Sequence, residues 1–351
     1  MQKKLIALAV AGLVSTGAFA QSAVTVYGVA DLSFDSVSTS GGAVAGTKTG
    51  SYTRVSSNSS YIGFKGTEDL GNGLKAVFQF ENGVGADTGA MFNSARDTYA
   101  GLAGAFGDIK LGTLTTPTRA LGTAIDVNVG ATSIGDNKAL INKAGFDTRQ
   151  GNTVQYSSPS FSGFNAAVAY VSGENKTADN VAAKADASAW DLGLNYNNGP
   201  ILAGLTYAQG KARDVADTQV KNTRIAGAYD FGVGSVRALW NSTKNETSTT
   251  STKQNVWGLG GTFNAAPNGK VIAQYYKIND VTGTGGAANT GSKLFELGYE
   301  HSFSKRTMLK VIYARLNNDD GAAKNFNTNA TLNSAAGVDP SGFQIGIRHS
   351  F

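Results

Sequence analysis

The chain has 351 residues, a formal charge of +5, no cysteine and 45 glycines, and charged residues make up only 16%. The missing cysteines exclude disulfide frameworks, thiolate metal sites and thiol catalysis. So small and scattered a basic excess excludes a nucleic-acid surface, which needs clustered Lys and Arg.

The first segment reads as an address. Lys3 and Lys4 precede an apolar run from Leu5 to Val14, and Ala18 and Ala20 supply small residues two apart, the pattern of a signal peptide. The run falls short of the roughly 20 apolar residues that span a bilayer as a helix. Cleavage is expected between Ala20 and Gln21, which makes 1–20 a removed leader and 21–351 a single mature domain. The leader holds two lysines and no acid, so the mature balance is 28 basic against 25 acidic residues. No later segment is apolar enough for a membrane helix. An exported, cysteine-free, Gly- and Tyr-rich chain of mean hydropathy −0.16 fits a membrane β-barrel, whose strands alternate apolar outside with polar inside.

Alternation of period two then recurs along the chain. In order, strands are predicted at Val24 to Ser36, Tyr52 to Gly66, Leu74 to Glu81, Asn93 to Gly104, Asp108 to Thr115, Arg149 to Ser157, Phe164 to Ser172 and Ser188 to Asn197. The second half continues with Ile201 to Lys211, Asn222 to Phe231, Ser235 to Thr243, Gln254 to Asn264, Lys270 to Asp280, Phe295 to Phe303, Thr307 to Asn317 and Phe343 to Phe351. That makes 16 strands, within the even-numbered range of bacterial barrels. The last is the clearest, with Phe343, Ile345, Ile347 and Phe351 on one parity and Gln344, Gly346, Arg348 and Ser350 on the other.

Short connections rich in Gly, Asn, Asp and Pro alternate with long ones, among them Thr39 to Ser51, Thr116 to Thr148, Gly173 to Ala187, Lys244 to Lys253 and Asn318 to Pro340. Tight turns on one rim and long loops on the other suit a transmembrane barrel. A soluble sandwich or propeller would lack this rhythm and, for a propeller, would show a blade repeat. Phe64, Phe106, Phe161, Phe164, Phe231, Phe263 and Phe303 fall near predicted strand ends, as interfacial girdles require.

Several segments carry a family likeness: Val24 to Gly28 (VTVYG), Tyr61 to Ala76 (YIGFKGTEDLGNGLKA), Tyr99 to Leu102 (YAGL) with Phe106 to Asp108 (FGD), Val154 to Pro159 (VQYSSP), and the terminal Phe351. On these the chain resembles the general trimeric porins of Gram-negative bacteria, most closely the beta-proteobacterial branch. The resemblance implies a 16-stranded outer-membrane barrel, a homotrimer embedded among outer-membrane lipid and lipopolysaccharide, and a third loop folded into the lumen. It implies passive diffusion of ions and small hydrophilic solutes, with no cofactor and no catalysis. It also places Arg54, Arg96 and Arg149 in a basic cluster on the wall facing that loop.

The residues themselves bear on this site. The connection Thr116 to Thr148 is too long for a structureless surface loop, and its Ala, Leu, Ile and Val suit packing against a wall. Arg149 shares the parity of Thr153 and Gln155, opposite Val154 and Tyr156, and Arg96 shares that of Thr98 and Ala100, opposite Tyr99; both are expected to face the lumen. Arg54 counts back from Ile62 and Phe64 onto the lipid parity, where an arginine costs roughly 2 to 4 kcal/mol. A bulge within 55–60 is therefore expected to reset it. Asp126 and Asp136 are the loop's candidate acidic partners, and facing acid and base would set a transverse field across the opening. The only two histidines, His301 and His349, make no metal-ligand spacing. Phe351 is expected to end the strand that closes the barrel on the first one. Three arginines against at most two aspartates predict moderate anion preference.

Overall fold

The computed structural model describes residues 24–42, 50–130, 132–142, 145–173, 188–211, 218–326, 332 and 335–351. The expected leader, with Ala20 and Gln21, lies outside the described residues.

Eighteen strand segments form one antiparallel sheet that closes on itself. Tyr52–Ser57 and Tyr61–Gly71 are two halves of one wall strand, and Thr282–Thr284 is a ribbon beside Ser251 to Lys253 within a connection. The wall of this all-β transmembrane barrel therefore has sixteen strands. They are β1 (Thr25–Gly41), β2 (Tyr52–Ser57 and Tyr61–Gly71), β3 (Leu74–Gly85), β4 (Ala90–Gly104), β5 (Gly107–Leu114), β6 (Gln150–Ser157), β7 (Phe164–Val171) and β8 (Ala189–Asn198). The others are β9 (Ile201–Lys211), β10 (Gln219–Asp230), β11 (Gly234–Glu246), β12 (Ser251–Ala266), β13 (Gly269–Ile278), β14 (Ser292–Ser302), β15 (Thr307–Asn318) and β16 (Val338–Ser350).

Each strand pairs with its sequence neighbour, and β1 closes on β16 in the register Phe34↔Ile345 and Val29↔Ser350. Closure removes both sheet edges, the only way a sheet can satisfy its backbone in lipid. Exposure follows the pleat. Phe343, Ile345 and Ile347 are exposed while Gln344 is fully buried, so the exposed apolar parity faces lipid and the buried polar parity faces inward.

Several strands extend past their expected ends. The segment Lys244 to Lys253 is not a loop: β11 runs to Glu246 and β12 starts at Ser251, joined by a turn in which Thr247 N–H donates to the Thr250 carbonyl at 2.9 Å. β-branched threonines hold these extensions in strand, but polar side chains on both faces erase the hydrophobic period that betrays a strand in sequence.

Two register shifts decide which way key side chains point. In β2 the pairing runs Leu32↔Ser57 and then Val29↔Tyr61, so three residues, 58–60, oppose two of β1. This is a one-residue bulge with Ser59 at φ +59°. Val55 is consequently 54% exposed, and Arg54 shares the inward face with Asp35. In β4 the parity of Thr98 and Ala100 proves to be the outward one, since Leu102 on it is 44% exposed. Parity was thus the wrong ground for turning Arg96 inward. The shift between Phe80↔Thr98 and Asn82↔Ala95 inserts an extra residue, and both Arg96 and Asp97 reach inward contacts through it.

The third connection carries two helices, α1 (Pro117–Ile125) and α2 (Lys138–Ile141). Pro117 at the start of α1 has a fixed φ suited to a first helical turn. Leu121, Ile125, Ile134, Leu140 and Ile141 are buried against inward residues of β10 to β15, including Leu239, Ile272, Leu294 and Ile312. Each such side chain contributes about 1.5–3 kcal/mol by burial, so the segment is held on that wall by its apolar face. Val37 of β1 and Tyr52 of β2 join this packing, whereas among the described residues none of β3 to β6 does.

Candidate pore constriction

Polar staples fix the same segment at both ends. Near its base the buried Arg224 of β10 donates from Nη1 and Nη2 to Asp147, both at 2.7 Å, from Nη1 to the Thr118 carbonyl at 2.6 Å and from Nε to Asn241 at 3.0 Å. Removing one partner of such a pair costs about 3–5 kcal/mol because the other charge is left buried alone. Thr118 donates from N and Oγ1 to Asp191 of β8. At the tip, Thr132 Oγ1 donates to Asp31 at 3.0 Å, and its carbonyl accepts from Lys310 Nζ at 3.0 Å.

Opposite the uncovered wall the segment bounds a cavity of about 360 Å³ whose lining includes Tyr61, Arg96, Thr115, Arg119, Ala120, Thr123, Lys138, Arg149 and Arg348. The bulges and the loop helices bring these residues together from distant positions. Arg96 Nε donates to Glu81, and its guanidinium lies 4.2 Å from the Tyr61 ring centroid. Arg149 Nε donates to Asp97 at 2.6 Å, and Asp97 also accepts from Thr115 N at 2.7 Å. Arg348 Nη1 and Lys310 Nζ share Asp31 at 3.0 and 2.7 Å. Arg54 Nε donates to Asp35 at 3.1 Å on the adjoining wall, outside the cavity lining.

The expected acidic partners lie elsewhere. Asp126 and Asp136 are each 1% exposed and belong to the buried face of the segment. Asp126 accepts from Asn128 N at 2.8 Å and Asn137 N at 2.7 Å, and Asp136 lies 3.6 Å from Lys138 Nζ. Burial, and after it the charge of Asp136, push the Asp126 carboxyl up from its ordinary value. The carboxylates that do reach the cavity's arginines are Glu81, Asp97 and Asp31, all from the wall.

Sequence reasoning missed Arg119, Lys138 and Arg348 as lining residues. Arg348 and Glu81 lay on the polar parity of their predicted strands and could have been found there. Arg119 and Lys138 depend on loop helices that no periodicity announced. Arg119 Nη1 donates to the Asp147 carbonyl; burial, and then the facing Arg149, bring its guanidinium down to about 10, still charged at neutral pH. Five cations at the cavity thus meet three wall carboxylates, Glu81, Asp97 and Asp31, the last shared with Lys310, and the buried Asp136 that Lys138 reaches.

Comparison with known proteins places this geometry. A family profile described as Gram-negative porin matches residues 7–321. Outer membrane porin protein 32 of Delftia acidovorans is 33% identical over 365 residues, covering 100% of each chain. Major outer membrane protein P.IB of Neisseria gonorrhoeae is 30% identical over 352 residues, covering 92% of this chain and 96% of its own. Among solved structures, an anion-selective porin from Comamonas acidovorans superposes with a TM-score of 0.80 at 29% identity, covering 94% of this chain and 100% of its own.

Proposed function

The chain belongs to the Gram-negative porin family, an outer-membrane channel for passive diffusion, and from that premise we propose that it is moderately anion-selective, with its narrowest point at the cavity between the third loop and the inner wall of β2, β4 and β6. The observation that carries this reading is the set of arginines and a lysine around that cavity, which outnumber their carboxylate partners. Fixed cations beside a small water volume lower the energy of anions there and raise that of cations. The excess is small and salt screens it, with a Debye length of about 10 Å at 0.1 M, so selectivity is moderate and weakens as salt rises. Arg96 and Arg149 line the path directly, and Arg54 adds its field from the neighbouring wall.

The test is the zero-current potential in a salt gradient across a planar bilayer. Wild type is expected on the anion side, and Arg96→Ala with Arg149→Ala is expected to shift it toward cation preference. Arg306→Ala, on the turn after β14, serves as the distant control. A double variant with the wild-type permeability ratio would show that these residues do not line the constriction.

The assembly we infer is a homotrimer joined through the outer faces of β16 and β1 to β5. Outward tyrosines and tryptophans, which prefer the membrane–water interface, occur on β6 to β15, as at Tyr156, Trp190, Tyr229, Trp257 and Tyr313. On β1, β2 and β4 the tyrosines turn inward: Tyr27 donates to Glu81, Tyr61 lies under Arg96, Tyr99 donates to Gln79 and Tyr52 packs on the inner apolar cluster. The outer face there carries aliphatic and Phe side chains such as Leu32, Phe34 and Ile345 without an interfacial belt, which suits a protein neighbour better than lipid headgroups. Lipid and lipopolysaccharide would then meet the belted face.

A further inference from the structure

On the reading that this cavity is the constriction, we infer that Arg119, presented by the third loop itself, is the specificity-determining charge of the pore, and that the opening is basic on both sides and selects small anions over zwitterions. The helix α1 has two faces. Pro117, Thr118, Leu121, Gly122 and Ile125 are buried, whereas Arg119, Ala120, Thr123 and Ala124 line the cavity. No acid stands on the cavity side of the helix. Across it lie Arg96, Arg149 and Arg348.

Arg119 differs from those three in its partner. Each of them has a carboxylate within ion-pair distance: Glu81, Asp97 and Asp31 respectively. Among the described residues, Arg119 donates to a neutral backbone carbonyl, that of Asp147, whose carboxylate is already taken by Arg224. Asp147, Asp136 and Asp97 act on Arg119 from beyond ion-pair contact, so it keeps more of its field in the water beside it, while a close ion pair projects mainly a dipole that falls off faster with distance. The loop's acids cannot answer the wall's bases, because Asp126 and Asp136 are buried on its other face. The wall's Glu81, Asp97 and Asp31 are each held by a wall arginine, so the transverse field left to orient a dipolar solute is weak, and a zwitterion gains little where an anion gains more.

Planar-bilayer measurements on Arg119→Gln, Arg119→Lys and Arg119→Glu test this, with chloride against potassium in a gradient and glycine flux in proteoliposomes as the zwitterion probe. One unit charge a few ångströms from the path, in water with 0.1 M salt, changes the anion-to-cation ratio about two- to threefold. That fall is expected for Arg119→Gln, a larger fall for Arg119→Glu, and retention of the wild-type ratio for Arg119→Lys, with glycine flux unchanged throughout. If Arg119→Lys falls as far as Arg119→Gln, the residue acts only by holding the loop through its carbonyl bond, and the inference is overturned. It is also overturned if Arg119→Gln keeps the wild-type ratio while the Arg96 and Arg149 double variant loses it. Should neither change, the constriction assignment itself fails.

Discussion

Asp126 of the third loop and Glu296 of β14 are both fully buried and share neutral donors. Asn128 Nδ2 donates to each at 2.8 Å, Gln274 Nε2 donates to Glu296 at 2.6 Å, and Ser133 Oγ donates to Glu296 at 2.8 Å. Among the described residues no cation lies within ion-pair range of either, and Asp136, Tyr276 and the Asp126 carbonyl's partner Arg237 are the other titratable groups nearby. Two buried carboxylates this close resist ionising together. The sign follows: Asp126 titrates higher folded than unfolded, so its stabilising contribution is present below its unfolded value near 3.8 and is lost as pH climbs toward the raised folded one. Asp126→Asn, which removes that ionisation, should therefore gain thermal stability relative to wild type as pH goes from 5 to 8. Melting of the folded barrel in detergent at both pH values checks this; a difference in melting temperature that does not move with pH would remove the titration from the account.

At the scale of one strand, the bulge at 58–60 carries the orientation of everything before it in β2. Its polar groups are satisfied by β1: Asn58 N–H donates to the Asp31 carbonyl at 2.7 Å, and Ser60 Oγ accepts from Asp31 N at 3.0 Å. Because side chains alternate with period two, deleting Ser59 would slip the first half of β2 by one residue and swap its faces. Arg54 would then point at lipid and Val55 inward, at a cost of roughly 2 to 4 kcal/mol at mid-depth. A deletion variant should thus show a markedly lower folded fraction in lipid vesicles than Ser59→Gly, which keeps the length and accepts positive φ without strain. Equal folding of the two would mean that the register is set elsewhere.

For the whole molecule, the decisive event is closure between β1 and β16. Phe351 continues the seam beyond the last strand: its N–H donates to the Gly28 carbonyl at 3.0 Å, and its carbonyl accepts from Gly28 N at 3.1 Å. Its ring occupies the space beside Gly28, where an added Cβ would come within 2.4 Å of the ring. Deleting Phe351 leaves the start of β1 with unpaired backbone groups at a rim that must be sealed. The yield of the folded barrel in its proposed trimer, read as the heat-modifiable band on unheated gels and by native mass in mild detergent, should fall several-fold. An unchanged yield would show that the seam closes without its last residue, and a monomeric mass in wild type would remove the trimer.

Much of this protein was legible in one dimension because a barrel wall writes its two solvents into the sequence with period two. Where one face meets lipid, as in Phe343 to Ile347, the alternation fixed strand, orientation and pairing without any tertiary knowledge, and tight-turn residues marked one rim. The polar parity carrying Arg348 was readable for the same reason, whereas the count back to Arg149 crosses a register shift between Thr153 and Gln150 that the sequence did not announce. Where both faces meet water, as in the threonine-rich extensions of β11 and β12, the pattern vanished and strands looked like loop. The bulge before Tyr61 was announced by the lipid parity of Arg54, but the one in β4 was decided only in three dimensions: the parity of Arg96 pointed outward, and a single inserted residue opposite Glu81 reversed it. The third loop was readable as long and apolar, but which of its faces met the wall depended on apolar side chains of β10 to β15 that are distant in sequence. That packing buried Asp126 and Asp136 and left Arg119 beside the water, because burying apolar surface outweighs any local preference of a single charged residue for one side of a loop.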